Sequence, residues 1–267
     1  MTDDDTKARL ARLRREPPPF RVVEVVRVER RSPRLIRLTL AGPALSGMEI
    51  DEPAASVRLL LPSEGDLVIP TWNGNEFLLD DGSRPIIRTF TPRRFDAEAN
   101  ELIIDAVIHG DGPASAWANA ATAGTPAAVS GPGRGYNIDL DAKRYLLVGD
   151  ETAIPAIDQL LESIPAQIDV VAHIEISHRE AEVALATHPR ATVTWHERGS
   201  DEPVGSHMVE AVRAETIDDG TRVWVAGEAA AVQQIRNHLF KERSLARRSA
   251  TVRGYWKQGR GGDASDD

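Results

Sequence analysis

The hydrophobic rhythm of this chain changes once, near residue 140, and that change constrains the fold more than any other feature. Before it lie six short runs of β-branched and aliphatic residues: Val22–Val28, Leu35–Leu40, Val57–Leu61, Ile86–Phe90, Leu102–Ile108 and Ala127–Val129. Period-two stretches within them put alternate side chains on opposite faces, as a strand does. One helical segment, opening after Gly112, lies among them, and the run Gly131-Pro-Gly-Arg-Gly135 follows the last. Six strands with one helix predict a six-stranded antiparallel barrel. Ser63–Arg84 is polar, holds Gly65, Gly74 and Gly82, and reads as a long loop or a loosely formed hairpin.

After the change, strands and helices alternate. Apolar runs at Tyr145–Val148, Ile168–Ile174, Val193–Trp195, Val223–Ala226 and Thr251–Trp256 are interleaved with helical patterns at Ala153–Ser163, His207–Ala214 and Ala229–Arg243. This predicts a doubly wound parallel sheet with helices on both faces. Thr152 reads as the N-cap of the first of these helices, with Pro155 inside its first turn. The expected division is a flexible lead at 1–19, a barrel domain at 20–140, an α/β domain at 141–258 and a flexible acidic tail at 259–267. The lead ends in Pro17-Pro-Pro19, a stiff connector, and Lys7–Arg15 within it reads as a short helix.

Composition removes several kinds of chemistry. The 267 residues include no cysteine, which excludes disulfides, Cys-ligated iron–sulfur clusters and thiol nucleophiles. None of the seven histidines makes a close pair at metal-ligand spacing, so no metal site is expected. A net charge of −9 argues against a nucleic-acid partner. No apolar run is long enough to span a bilayer, and the polar start Met1-Thr-Asp-Asp-Asp5 has no apolar signal region. A cytoplasmic monomer without a membrane partner is the expectation. Charge is uneven, however: Ala229–Lys257 holds seven Lys/Arg and one acid. That stretch reads either as a solvated basic face or as a patch for an anionic ligand.

Two segments of the barrel half carry groups that suit a flavin dinucleotide. Arg88-Thr-Phe-Thr-Pro92 places a cation, an aromatic ring and two hydroxyls at the end of an apolar strand. Alternation puts Arg88 and Phe90 on one face, Thr89 and Thr91 on the other. His109-Gly-Asp-Gly-Pro-Ala-Ser115 ends a strand, turns through glycines and opens a helix. Pro113 suits the first helical position, and the backbone N–H groups of Ala114 and Ser115 would face a pyrophosphate. Trp117 reads as core. In the second half, Gly149-Asp-Glu-Thr152 and Ala226-Gly-Glu228 both put glycine before an acid at a strand C-terminus, so both should border one nucleotide crevice. Gly131–Gly135 lacks the spacing of a nucleotide loop and reads as the barrel exit, where backbone can approach a ligand and Arg134 faces the site. Ser177 and Arg179, after the second strand, offer a hydroxyl and a cation to a 2′-phosphate, which favours NADPH over NADH.

These motifs, with Trp224-Val-Ala-Gly-Glu228 and Gly254-Tyr-Trp-Lys257, resemble the siderophore-interacting proteins, flavin-dependent ferric-siderophore reductases of the ferredoxin-reductase superfamily. The resemblance spans about residues 20–260. It implies an FAD-binding barrel, an NAD(P)H-binding α/β domain and a ferric siderophore as electron acceptor, reduced to release Fe²⁺. It also implies site residues. Arg88, Thr89, Phe90 and Thr91 would hold the flavin, with Thr91 near N5. His109, Gly112, Pro113, Ala114 and Ser115 would hold the pyrophosphate side. Asp150, Glu151, Thr152, Gly227 and Glu228 would border the nicotinamide, with Trp256 near the flavin. Arg58, Arg134 and Lys257 are the candidate cations for the acceptor. Family members commonly have Tyr where this chain has Phe90, so the ring is kept and its hydroxyl lost. A general NAD(P)H–flavin reductase with another acceptor, or a flavin-binding protein without turnover, would use the same motifs.

Overall fold

The structure is a computed structural model and describes residues 17–62, 66–108 and 112–259. The short helix read at Lys7–Arg15 and all but Gly259 of the expected acidic tail lie outside the described residues.

The first half holds strands β1 (Arg21–Ser32), β2 (Leu35–Ala41), β3 (Val57–Leu61), β4 (Thr71–Trp72), β5 (Phe77–Leu78), β6 (Ile86–Phe90), β7 (Pro92–Asp96) and β8 (Glu101–Val107), helix α1 (Pro113–Ala120) and strand β9 (Pro126–Ser130). Seven of the strands form one antiparallel sheet in the order β6-β3-β9-β1-β2-β8-β7. Its two edge strands, β6 and β7, are consecutive in the chain with only Thr91 between them. The sheet must therefore curl until its edges approach, which makes a half-barrel. Val25, Leu38, Leu40, Leu59, Ile104 and Val129 fill the interior and are fully buried, with Trp117 of α1 packed among them. On the outer face Leu60, Ile87 and Ala128 are covered by Phe20, Leu67 and Phe77. The polar stretch before β6 includes the small hairpin β4–β5, one of the two forms its composition allowed.

The seventh strand, β7, escapes a hydrophobicity reading because Arg93 and Arg94 break its apolar pattern. Arg93 is consumed by the other half of the molecule. Its Nε lies 2.7 Å from Asp158, and its Nη2 pairs closely with Glu162.

The second half continues with β10 (Arg144–Asp150), α2 (Ile154–Ser163), β11 (Asp169–Ile176), β12 (Ala191–Glu197), α3 (Ser206–Ala214), β13 (Thr221–Glu228), α4 (Ala229–Asn237) and β14 (Ala250–Trp256). All five strands are parallel, in the order β12-β11-β10-β13-β14. Alternate residues of β10 feed two cores: Tyr145 and Leu147 pack under α2, while Leu146 and Val148 pack under α3 and α4. The expected helix at Ala229–Arg243 ends its α-helical part at Asn237 and continues as a π-helical turn to Glu242.

Candidate cofactor and nucleotide site

The C-terminal ends of the parallel strands face the barrel. Asp150 ends β10, and its carboxylate accepts four hydrogen bonds. These come from the Thr152 N–H (2.9 Å), the Thr152 hydroxyl (2.5 Å), the Glu228 N–H (2.8 Å) and Trp256 Nε1 (2.8 Å). The ends of β10, β13 and β14 are thus knotted at one carboxylate, which brings the two glycine–acid turns side by side. Burial pushes the Asp150 carboxyl up from its ordinary value, while its donors pull it back down. Gly227 is required beside it. Its φ is +156°, and a Cβ there would lie 2.7 Å from Asp150 Oδ2. Gly149 is equally confined, since a Cβ would come within 2.4 Å of Ala153 Cβ.

This geometry corrects the capping assignment. Thr152 is not the N-cap; Asp150 caps a 3₁₀ turn at Glu151–Ala153, and α2 follows that turn directly. Glu228 plays the same part at α4, with Oε2 accepting from the N–H groups of Ala230 (2.6 Å) and Ala231 (3.0 Å). Its other oxygen accepts from Gln258 N–H at 3.3 Å, which holds the chain next to Lys257. Glu151 reaches both halves of the molecule. Oε1 accepts from the N–H (2.6 Å) and hydroxyl (2.5 Å) of Ser177, and Oε2 accepts from Arg34 Nε across the domain junction at 3.0 Å.

On the barrel side, Thr91 is buried and lies beside the Tyr255 side chain of β14. Burial raises the Tyr255 hydroxyl pKa, and its ring meets Trp224 edge-on at 6.3 Å between centroids. Phe90 and Ile86 pack toward the barrel interior, and Arg88 shares that side of β6 by alternation. Arg58 sits opposite Thr89 in the β3–β6 register, and both are exposed on the outer face. The structure therefore does not bring Arg58 to the side that carries Arg88 and Phe90. Helix α1 starts at Pro113 on Gly112, a residue with no side chain to cap it. A Cβ on Gly112 would meet nothing within 4 Å among the described residues. A helix start of this kind fits the pyrophosphate of a dinucleotide. His109 lies outside the described residues.

Between the halves is a cavity of about 120 Å³ lined by Arg34 and Val107 of the barrel and by Glu151, Glu175, Arg198 and Trp256. Sequence reading missed Arg34 and Arg198. Nothing in the sequence links Arg34 to Glu151, which is 117 positions away. Glu175 carried a usable signal, because an acid at the end of the second strand of such a sheet commonly meets a ribose. A larger apolar groove of about 900 Å³, lined by Phe20, Ile69, Trp72, Phe77 and Pro132 among others, involves none of the residues expected to hold the flavin or the nucleotide.

Two further expectations change. The glycines of the barrel exit admit the chain's own residues rather than a ligand: Cβ atoms at Gly133 and Gly135 would strike Ser56 and Glu52. Arg134 is exposed, and its carbonyl accepts from Arg253 at 3.3 Å. The basic stretch is in good part structural. Arg236 donates to Val252 O, Arg243 to Arg213 O and Glu215 O, and Arg253 to Ala54 O, Arg134 O and Gly135 O. Ser177 gives its hydroxyl to Glu151, and exposed Arg179 pairs with Glu182 and Glu197.

A curled antiparallel barrel with a helix starting on a glycine, joined to an open parallel sheet whose strand ends face it, is the architecture of a two-domain flavin reductase. Comparison with known proteins makes this specific. The family model for a siderophore-interacting FAD-binding domain matches residues 24–136, and that for a siderophore-interacting protein matches residues 142–259. A siderophore utilization protein from T. fusca superposes with a TM-score of 0.82 at 35% identity, covering 92% of this chain and 96% of that one. The siderophore-interacting protein SipS from Aeromonas hydrophila gives a TM-score of 0.73 at 30% identity, covering 91% of this chain and 100% of that one. The ferric vibriobactin reductase ViuB of Vibrio cholerae is 29% identical over 249 residues, 91% of this chain and 92% of that protein. This chain belongs to the siderophore-interacting protein family and carries its FAD-binding domain. No helix among the described residues is long and apolar enough to cross a membrane.

Proposed function

We propose that this protein is an FAD-dependent oxidoreductase that draws electrons from a pyridine nucleotide and reduces ferric siderophores, releasing Fe²⁺. One observation carries the reading: the cavity at the C-terminal ends of the parallel strands is walled on its other side by the barrel residues Arg34 and Val107. The ion pair Arg34–Glu151 holds the two halves together there. FAD supplies the step from a two-electron hydride donor to a one-electron ferric acceptor.

The residues of this chain bind and orient. Arg88 and Phe90 hold the flavin on the interior side of β6, with Thr89 and Thr91 supplying hydroxyls at the strand end. Pro113 starts α1, and His109, Gly112 and the N–H groups of Ala114 and Ser115 hold the pyrophosphate side. Asp150 fixes Trp256 against the crevice and keeps Thr152, Gly227 and Glu228 in place around the donor. Exposed Lys257 and Arg134 offer positive charge to an anionic ferric chelate. No general acid or nucleophile is needed, because the metal leaves once its hard oxygen ligands hold Fe²⁺ in place of Fe³⁺. Both halves of the site come from one chain, so a monomer suffices.

The acceptor is tested by comparing ferric chelates with quinones and free flavins under steady-state conditions. Preferred turnover of ferric chelates supports the reading, and preference for a quinone overturns it. A protein that takes up no FAD overturns the reading at its root.

A further inference from the structure

We infer that the crevice selects NADH over NADPH, with Glu151 and Glu175 as the residues that refuse a 2′-phosphate; this rests on the pyridine-nucleotide reading above. In an open parallel α/β sheet, the end of the second strand meets the adenosine ribose. An acid there suits the ribose 2′-hydroxyl, and an uncommitted cation suits a 2′-phosphate. Here the second strand is β11, and the cavity at its end is lined by Glu151, Glu175, Ile176 and Ser177.

The cations around that point are paired with carboxylates or turned outward. Ser177 gives its N–H and hydroxyl to Glu151 Oε1. Arg34 gives Nε to Glu151 Oε2 at 3.0 Å. Arg198 places Nε 3.6 Å from Glu175 Oε1, and its Nη1 donates to Gly199 O and Glu202 O. Glu175 accepts the N–H groups of Gly205 (2.7 Å) and His207 (2.9 Å) at the start of α3, which hold it in place. Arg179 is exposed and pairs with Glu182 and Glu197, and His178 is exposed. Asp150, behind them, is buried and holds four donors. A dianion entering here meets carboxylates, and the arginines nearest to it are already paired with them. A ribose diol instead replaces the Ser177 hydroxyl as a donor to Glu151.

The test is equilibrium binding, read by calorimetry on the FAD-loaded protein with ADP-ribose and with its 2′-phosphorylated form. ADP-ribose is expected to bind at least about tenfold more tightly. Equal or tighter binding of the 2′-phosphorylated form overturns the inference and leaves the donor reading standing. Binding of neither overturns both. Glu151→Gln removes a charge and releases Ser177 and Arg34, so it should bring the two affinities within about threefold of one another. An unchanged ratio overturns the assignment to Glu151. Should that variant fail to retain FAD, Ser177→Arg, which leaves Glu151 in place, is expected to favour the 2′-phosphorylated form, and no gain counts against the inference.

Discussion

Two kinds of helix start stand on either side of the domain junction. On the barrel side, α1 begins on Gly112, a residue with no side chain to cap it. On the sheet side, Asp150 and Glu228 cap the turns that follow β10 and β13, and their carboxylates hold Trp256 and Gln258 besides. A start capped by its own carboxylate is scaffold, whereas a glycine at that position brings no side chain of its own and suits an anion.

Breaking the scaffold side should cost the most. Asp150→Ala leaves four buried donors without an acceptor and should destabilise the α/β half by roughly 3 kcal/mol, read from urea unfolding. Gly227→Ala drives a Cβ into that carboxylate at a backbone angle L-residues avoid, and about 2 kcal/mol is expected from the same assay. If either substitution proves neutral, the knot at Asp150 is not what holds the strand ends together.

Smaller effects should appear on the barrel side, in ligand affinity rather than in stability. Arg88→Ala is expected to weaken FAD retention about tenfold or more, measured by flavin fluorescence on dilution. Gly112→Asp sharpens the contrast directly, because it puts at the start of α1 the kind of carboxylate that the sheet-side turns already have. It should stabilise the FAD-free protein by about 0.5–1 kcal/mol and weaken FAD binding. A loss of stability, or unchanged FAD affinity, would show that the glycine start is incidental. Lys257→Ala should give the smallest change, a KM for an anionic ferric chelate raised about twofold to threefold with the donor KM unchanged.

Much of this was legible in the sequence, and the misses have physical causes. Strand runs such as Leu35–Leu40 and Val223–Ala226 are long and apolar enough that burial alone fixes them. The change of rhythm separated barrel from sheet, because a barrel strand and a doubly wound strand are packed by different neighbours. β7 was missed because Arg93 serves a partner more than sixty positions away, and the long-range pair lent its strand a polar appearance. Thr152 was misread as a cap because Asp150, two residues earlier, takes its N–H and its hydroxyl and caps the 3₁₀ turn itself. The charge of Ala229–Lys257 suggested a binding patch, yet three of its arginines hold carbonyl oxygens. Composition counts cations, and only geometry tells which of them are spent.

The central claim is that one chain passes electrons from a pyridine nucleotide through FAD to a ferric chelate. Its most direct test is the anaerobic absorption spectrum of the FAD-loaded protein. The account predicts that NADH bleaches the flavin band and that a ferric siderophore then restores it while Fe²⁺ appears in a chelator assay. A flavin that neither nucleotide bleaches, or a reduced flavin that a ferric siderophore leaves bleached, would contradict it.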